Sequence, residues 1–434
     1  MTGTSPLPFK GSPAIPPVAR NSDAGTSRHS VRGIVPAGPG SRSKFSFAPA
    51  AKCSHQRALE PKRPPPMRPS HDTWKTPRGA RNIDTYSHPP SSPSGFEGYE
   101  KRLEIEFFPN EIASNLGLGL GLRNLSPSQL DEIAKAAKCQ IISHISNEHM
   151  DIYLLSESSL IIYPYKFIIK TCGKTQLFLA IPVLISYADS ILSIKPKNLI
   201  YTRGCFLFPQ NQPSPHQSFH EEICYLDKFV DRFLPSSNAE AYVMQGCSET
   251  NNDLWHIYTA SVSDHNSSHA YSNFNPSYTI EICMTQLDYE KASVFHTRNC
   301  PSSSEMTSKS GLGDVIPDFE IDAYIFEPCG YSMNGMKGPS FCTIHVTPEV
   351  GSSYASFEIV GYDPRDLIDI ESLISRVLDC FGPSVVSVAV YVDRKLVDRA
   401  THIFPEDYVC ESTSQKDLLE DTLAIYQTYT KLNN

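Results

Sequence analysis

Between Leu103 and Val392 the chain keeps returning to short runs of β-branched, aromatic and other apolar residues, each closed by Pro, Gly or a polar pair. Such runs are too short for helices and their closers are turn formers, so they read as strands. Leu103, Ile105 and Phe107 alternate with charged residues and stop at Pro109, the pattern of a half-buried strand. Ile152–Leu155, Leu160–Tyr163 and Phe167–Thr171 follow with hairpin spacing. Leu254–Ala260, Tyr278–Thr285, Ala323–Phe326, Phe341–Thr347, Ser353–Val360 and Val385–Val392 continue the rhythm. Hairpin runs with helices between them predict an antiparallel α+β sandwich, not a parallel α/β sheet. The two halves share an order of elements without a residue-level repeat.

Helices are few. Ser126-Pro127-Ser128-Gln129 is a capping box with Pro at the first helical position, and Leu130, Ile133, Ala134 and Ala137 mark one face of a helix ending near Lys138. A second helix is predicted over Thr175–Leu192, entered after Gly173 and kinked at Pro182. A third starts at Asp363-Pro364, carries Leu367, Ile370, Leu373, Ile374, Val377 and Leu378 on one face, and stops at Gly382-Pro383. Gly117, Gly119 and Gly121 alternate with Leu in what reads as a flexible connection, since no Lys-Ser/Thr follows to make a phosphate loop. His265–Asn275 and Ala292–Lys309 read as surface loops.

Charge divides the chain. The formal net charge is −9, yet residues 1–93 hold 14 Lys and Arg against 4 acids, and 17 of the 35 prolines. The rest holds 24 against 43, a net of −19. Residues 1–93, with Pro64-Pro65-Pro66, therefore read as a disordered basic extension ahead of a folded domain over 94–434. An acidic body argues against nucleic acid and permits a cationic ligand. No apolar stretch is long enough for a bilayer; Leu177 to Ile185 is the longest. The N-terminus lacks a signal-peptide core, and Pro16-Pro17 opposes the helix of a transit peptide. The 12 cysteines include no C-x-x-C and no zinc-ligand spacing, so they read as reduced thiols of a cytoplasmic protein without a metal.

Three stretches could carry chemistry. Leu155-Ser156-Glu157-Ser158-Ser159-Leu160 puts two hydroxyls after a carboxylate between apolar strands: a polar turn, or a serine poised against its own preceding carbonyl. Lys170-Thr171-Cys172-Gly173 puts a thiol where a strand ends, as a packed hydrophobe or a proton donor. Phe326-Glu327-Pro328-Cys329-Gly330-Tyr331-Ser332-Met333-Asn334-Gly335 reads as a shaped loop before Thr343-Ile344-His345-Val346-Thr347-Pro348-Glu349. Ser332 and His345 are thirteen apart, and a hairpin would bring them together as hydroxyl and base. The run Phe96-Glu97-Gly98-Tyr99-Glu100-Lys101 is weak by itself and explained equally by a strand-entry loop.

In this order, together with Ile344-His345-Val346-Thr347-Pro348-Glu349, these segments resemble the eukaryotic S-adenosylmethionine decarboxylases, pyruvoyl enzymes of polyamine synthesis. Weaker likeness runs through Pro215-His216, Phe219-His220-Glu221-Glu222 and Gly311-Leu312-Gly313-Asp314, and the resemblance covers roughly residues 94–400. It implies a four-layer αββα sandwich of two antiparallel sheets with outer helices. It implies autocatalytic cleavage at Glu157–Ser158 into a β chain of 1–157 and an α chain of 158–434, with Ser158 becoming the pyruvoyl group that binds substrate as a Schiff base. Ser332 and His345 match the processing residues, and Cys172 matches the proton donor. A thiol suits that task, because its unperturbed pKa near 8.5 lies close to working pH. Phe96 and Phe326 match the rings that sandwich adenine, Glu349 the acceptor for the ribose hydroxyls, Leu155 a nucleotide neighbour, and Glu97 and Glu100 acidic site residues.

Animal-type members also bind putrescine. Glu100, Glu104, Glu281 and Glu358 match the acids around that site, but Ser277 stands where the animal motif has Asp, which weakens a site for a dication. Members occur as monomers and as homodimers of two-chain units, and nothing in the residues decides between them. A catalytically silent regulatory homologue would be expected to lose the Glu-Ser bond, the Cys or the Ser/His pair, and all are present. A Ser/His hydrolase lacks its nucleophile elbow here and an acidic partner for His345.

Overall fold

The computed structural model describes residues 99–109, 119–246, 254–262, 278–349, 351–361, 370–395, 407–418 and 422–432. The extension over 1–93, Phe96, Glu97, His265–Asn275, Ser277 and the start of the helix at Asp363 lie outside the described residues.

Among the described residues, sixteen strands form two antiparallel sheets. The first holds β1 (Lys101–Phe107), β2 (Ile141–Ser146), β3 (Asp151–Leu155), β4 (Ser158–Tyr163), β5 (Lys166–Thr171), β6 (Pro196–Arg203), β7 (Ser237–Gln245) and β8 (Leu254–Val262), in the order β2-β3-β4-β5-β1-β6-β8-β7. The second holds β9 (Tyr278–Thr285), β10 (Glu320–Ile325), β11 (Tyr331–Lys337), β12 (Ser340–Thr347), β13 (Tyr354–Gly361), β14 (Val385–Asp393), β15 (Tyr408–Asp417) and β16 (Thr422–Lys431), in the order β10-β11-β12-β13-β9-β14-β16-β15. Counted from its own first strand, each sheet has the same order. The shared element order expected of the two halves is thus a repeated topology.

Seven helices are described: α1 (Pro127–Ala136), α2 (Ala180–Ser190), α3 (Phe219–Phe233), α4 (Tyr289–Ser293), α5 (Ser303–Ser310), α6 (Leu312–Val315) and α7 (Ile370–Phe381). Buried side chains of α1, α2 and α3 join Leu103, Ile105 and Phe107 in one core on the outer face of the first sheet. Met306, Leu312, Val315, Ile374, Val377 and Phe381 build the matching core on the second. Two smaller apolar clusters sit between the sheets. One joins Ile152, Ile161 and Ile168 to Met336, Phe341 and Val360. The other joins Trp255 and Ile257 to Cys283, Tyr354 and Tyr426. The layers are therefore helix, sheet, sheet, helix, as anticipated. Between the two inter-sheet clusters, β1, β5, β9 and β13 turn charged side chains inward.

Several details differ from expectation. The second helix starts only at Ala180, after a 3₁₀ turn over Leu177–Leu179. Pro182 therefore stands in its first turn, where a missing N–H has no intrahelical bond to lose, and needs no kink. The stretch 292–309 is not simply a surface loop: α4 and α5 cover half of it, and Phe295, Cys300 and Met306 are buried. The loop read over 326–335 gives way to β11 at Tyr331. Gly121 is less a hinge than a close contact, for its φ is +48° and a Cβ there would stand 1.9 Å from the Pro164 carbonyl oxygen. Strands β2, β6, β7, β15 and β16 and helix α3 escaped the sequence patterns. β7 and β15 are largely exposed edge strands, so their apolar alternation is faint.

Candidate active site

β3 and β4 meet in a two-residue turn, Ser156-Glu157, with Leu155 paired to Ser158. Ser158 has φ +143°, a region that residues with a Cβ rarely enter, and the other non-glycine positive φ values, 53° to 70°, are all ordinary left-handed ones. Its Oγ donates to Glu100 Oε1 at 3.0 Å. The carbonyl just before it, that of Glu157, accepts the backbone N–H of Cys172 at 2.9 Å. This contact follows from register, because β4 pairs with β5 and sets Ser158 opposite Thr171. The Cys172 thiol reaches Glu157 Oε2 at 3.8 Å. Burial pushes the thiol well above its usual range, and the Glu157 carboxylate adds to the push. Burial also lifts the Glu157 carboxyl to about 7, against the pull of Cys172 and Lys101.

The expected hairpin exists. β11 and β12 pair Ser332 with His345, and Ser332 Oγ lies 2.9 Å from His345 Nδ1. His345 Nε2 lies 3.1 Å from Ser159 Oγ and 3.9 Å from Glu100 Oε1. Ser159 in turn donates to Asn334 Oδ1 at 2.6 Å. Burial lowers the imidazole to about 4, with Glu100 pulling the other way, so the ring is neutral at pH 7. Each ring nitrogen faces a hydroxyl, so the neutral ring can accept a proton at one nitrogen and hold its own at the other.

Glu100 links this centre to a second buried cluster. Its Oε2 is 3.3 Å from Lys170 Nζ, which also meets Glu358 at 3.1 Å and Glu281 at 3.9 Å. Arg102 Nε pairs with Glu358 at 2.8 Å and its Nη2 with Glu104 at 3.1 Å, while Lys166 meets Glu104 at 3.3 Å. Arg102 is cross-strand partner of Lys170 on β1 and β5, and Glu281 is partner of Glu358 on β9 and β13. Those strand pairs hold equivalent places in the repeated topology, so two cations of one sheet face two carboxylates of the other. Burial alone would raise Glu358, but Arg102 and Lys170 outweigh it and hold the carboxyl at about 2. For Glu281, burial and the neighbouring Glu358 win and lift it to about 7.

Phe326 and Glu349 flank the open end of the β11–β12 hairpin, just before Tyr331 and just after Thr347. Phe326 is buried with its ring 5.1 Å from that of Tyr324, edge to face. Glu349 Oε2 is buried with no hydrogen-bond partner among the described residues, and burial raises the carboxyl. An acceptor oxygen in that state suits a ligand hydroxyl. Leu155 is fully buried in the core beside the Ser156-Glu157 turn.

The structure thus gathers Glu100, Glu157, Ser158, Cys172, Ser332 and His345 in one centre, with Glu104, Glu281 and Glu358 adjoining it. Sequence reasoning missed Ser159, Asn334, Lys101, Arg102, Lys166 and Lys170. A signal existed for Lys170: a lone ammonium ends the apolar run Phe167-Ile168-Ile169, where only a buried carboxylate would retain it.

Comparisons with known proteins identify the family of the chain. The model of the family described as adenosylmethionine decarboxylase matches residues 93–430. The S-adenosylmethionine decarboxylase proenzyme of Daucus carota is 44% identical over 339 residues, 78% of this chain and 90% of that one. Proenzyme 1 of Arabidopsis thaliana is 48% identical over 341 residues, with the same coverage of 78% and 90%. Among solved structures, the Trypanosoma brucei AdoMetDC-delta26 monomer aligns with a TM-score of 0.46 at 20% identity, over 67% of this chain and 100% of that one. With a family model spanning nearly the whole folded part and plant relatives close to half identical, the chain belongs to the adenosylmethionine decarboxylase family.

Proposed function

We propose that this chain decarboxylates S-adenosylmethionine for polyamine synthesis, with a pyruvoyl group that it makes from its own Ser158 after cutting the Glu157–Ser158 bond. The observation that carries the proposal is the strained Ser158 backbone beside a carbonyl already held by an N–H donor. A donor on that oxygen would stabilise the negative charge that builds up when Ser158 Oγ attacks the Glu157 carbon. The attack turns amide into ester, and the amine of residue 158 is freed. Removal of the Ser158 α-proton then expels the Glu157 carboxylate by β-elimination. His345, neutral and buried, is the base, and Ser332 orients its ring through Nδ1. The dehydroalanine left behind tautomerises, takes up water and releases ammonia, which leaves a keto group at the new N-terminus. The products are chains of 1–157 and 158–434.

The residues present fit such a group: a hydroxyl source, a base and a thiol converge on one buried point. When formed, the keto group supplies an electron sink beside the carbon that loses carbon dioxide. Cys172 Sγ holds the proton for that carbon. Burial keeps the thiol protonated at neutral pH, the state an acid needs. Phe326, with Phe96, would stack on the adenine, and the unpartnered Glu349 oxygen would accept from the ribose. The ten cysteines described are free thiols, in keeping with a reducing compartment.

A carbonyl-specific hydrazide tests the keto group directly. The chain starting at residue 158 is expected to take up one equivalent and to resist amine labelling at its N-terminus. A free serine amine there would overturn the assignment.

The second cluster bears on putrescine. Glu104, Glu281 and Glu358 already face Arg102, Lys166 and Lys170. A diamine would have to displace paired internal cations, so putrescine is expected to leave turnover unchanged. A several-fold rise on titration would contradict this.

A further inference from the structure

The turn that carries Cys172 is held from behind by two side chains. Thr175 Oγ1 donates to the Cys172 carbonyl at 3.0 Å and lies 2.8 Å from Thr171 Oγ1, whose hydroxyl can donate to it. Lys101 Nζ donates to the Gly173 carbonyl at 2.9 Å. Gly173 has φ +59°, so the chain reverses there, directly after the thiol. Lys101 opens β1 between Thr171 of β5 and Arg203 of β6, and is wholly buried. A buried ammonium is costly unless its donors are matched, and this one is built in on several sides. Gln212 Oε1 accepts from it at 2.9 Å, and it lies 5.3 Å from the centre of the Phe206 ring.

Behind Phe206 the support continues. Arg203 stacks on the same ring at 4.6 Å and pairs through Nε with Glu222 at 2.7 Å. Glu222, fully buried on α3, also takes the Tyr201 hydroxyl at 2.6 Å and meets His216 Nδ1 at 2.9 Å. A chain of contacts thus runs from α3 through Arg203, Phe206 and Lys101 to the turn beside the cleavage hairpin. The chain meets the turn at the Gly173 carbonyl.

We propose that Lys101 is a positioning residue for Cys172, fixing the turn from which the thiol delivers its proton. The inference rests on Cys172 being the proton donor, as proposed above. Lys101 also acts through charge: it pulls against the burial and the Glu157 carboxylate that raise the thiol, so its loss disfavours the thiolate.

The test uses the full-length chain with Lys101→Met and measures cleavage, steady-state kinetics and the rate at which iodoacetamide labels Cys172, read by peptide mass. Chain cleavage is expected to persist and KM to stay within about threefold, while kcat falls about tenfold or more, the scale of a misplaced catalytic group. Labelling of Cys172 is expected to slow by about threefold or more, since the thiolate is the form that reacts. If kcat and labelling both stay within about twofold of the natural chain, the proposal is overturned. Should Lys101→Met fail to fold or cleave, Gln212→Leu decides: it removes one anchor of the ammonium and is expected to lower kcat about threefold at constant KM, whereas an unchanged kcat overturns the proposal. A Cys172→Ala control separates the two readings. If that variant keeps its turnover, Cys172 is not the donor, and the labelling rate alone still reports whether Lys101 governs the thiol.

Discussion

Ser158 occupies a backbone conformation that costs about 1–3 kcal/mol for a residue with a Cβ, and such strain persists only where the surroundings over-determine it. Here the surroundings are two hairpins locked by register. The same packing sets the protonation of the base. An exposed histidine loses its basic form as pH falls through about 6.5. His345 is held at about 4, so its neutral form survives well below that pH. Self-cleavage, followed over time after cell-free translation, is therefore expected to show no loss centred near pH 6.5 as the pH is lowered from about 8 to about 5.5. A rate that halves near 6.5 would mean the base titrates as an ordinary imidazole. The groups that meet at this point were visible in the sequence, because Glu157-Ser158, Cys172, Ser332 and His345 each sit in a short, compositionally odd segment. Ser159, which meets His345, and Asn334, which accepts from Ser159, were not, since a serine and an asparagine become informative only when the register of β4 and β11 sets them inward.

At the level of elements, strands dictated by apolar alternation were readable and strands dictated by their neighbours were not. β11, Tyr331–Lys337, contains Asn334 and Gly335, poor strand formers, yet it pairs on both sides. Gly335 is required by closeness, for a Cβ would stand 2.8 Å from Cys342 Sγ. The charged stripe of β1, β5, β9 and β13 was half legible: the acids were seen, while Arg102 and Lys170 were missed as their partners. Their energetics follow from burial. A buried pair contributes little net stability against a well-packed apolar replacement, but removing one partner strands the other. Arg102→Met is expected to destabilise the chain by about 3–5 kcal/mol in urea unfolding, because Glu358 loses its closest cation. The double replacement Arg102→Met with Glu358→Met is expected to recover most of that loss. If the double variant is no more stable than the single one, Glu358 is not the source of the cost.

At the largest scale, the described residues use one topology twice, face to face, with helices on the outer sides and the candidate site in the seam. The seam is apolar toward either end and charged in the middle. The β3–β4 hairpin, with Glu157 and Ser158, belongs to the first sheet and His345 to the second, so the centre exists only when the two sheets are packed together. If the chain cuts itself as proposed, folding must therefore precede the cut. The averaged charge of −9 concealed the acidic body, part of whose carboxylates now have internal partners. Self-cleavage is the claim on which all the later chemistry depends. Denaturing electrophoresis with intact-mass analysis of the purified full-length chain, beside Ser158→Ala, measures it most directly. Two fragments ending and beginning at Glu157 and Ser158, with the alanine variant remaining one chain, are expected; an intact natural chain, or an alanine variant cut at the same bond, would contradict the proposal.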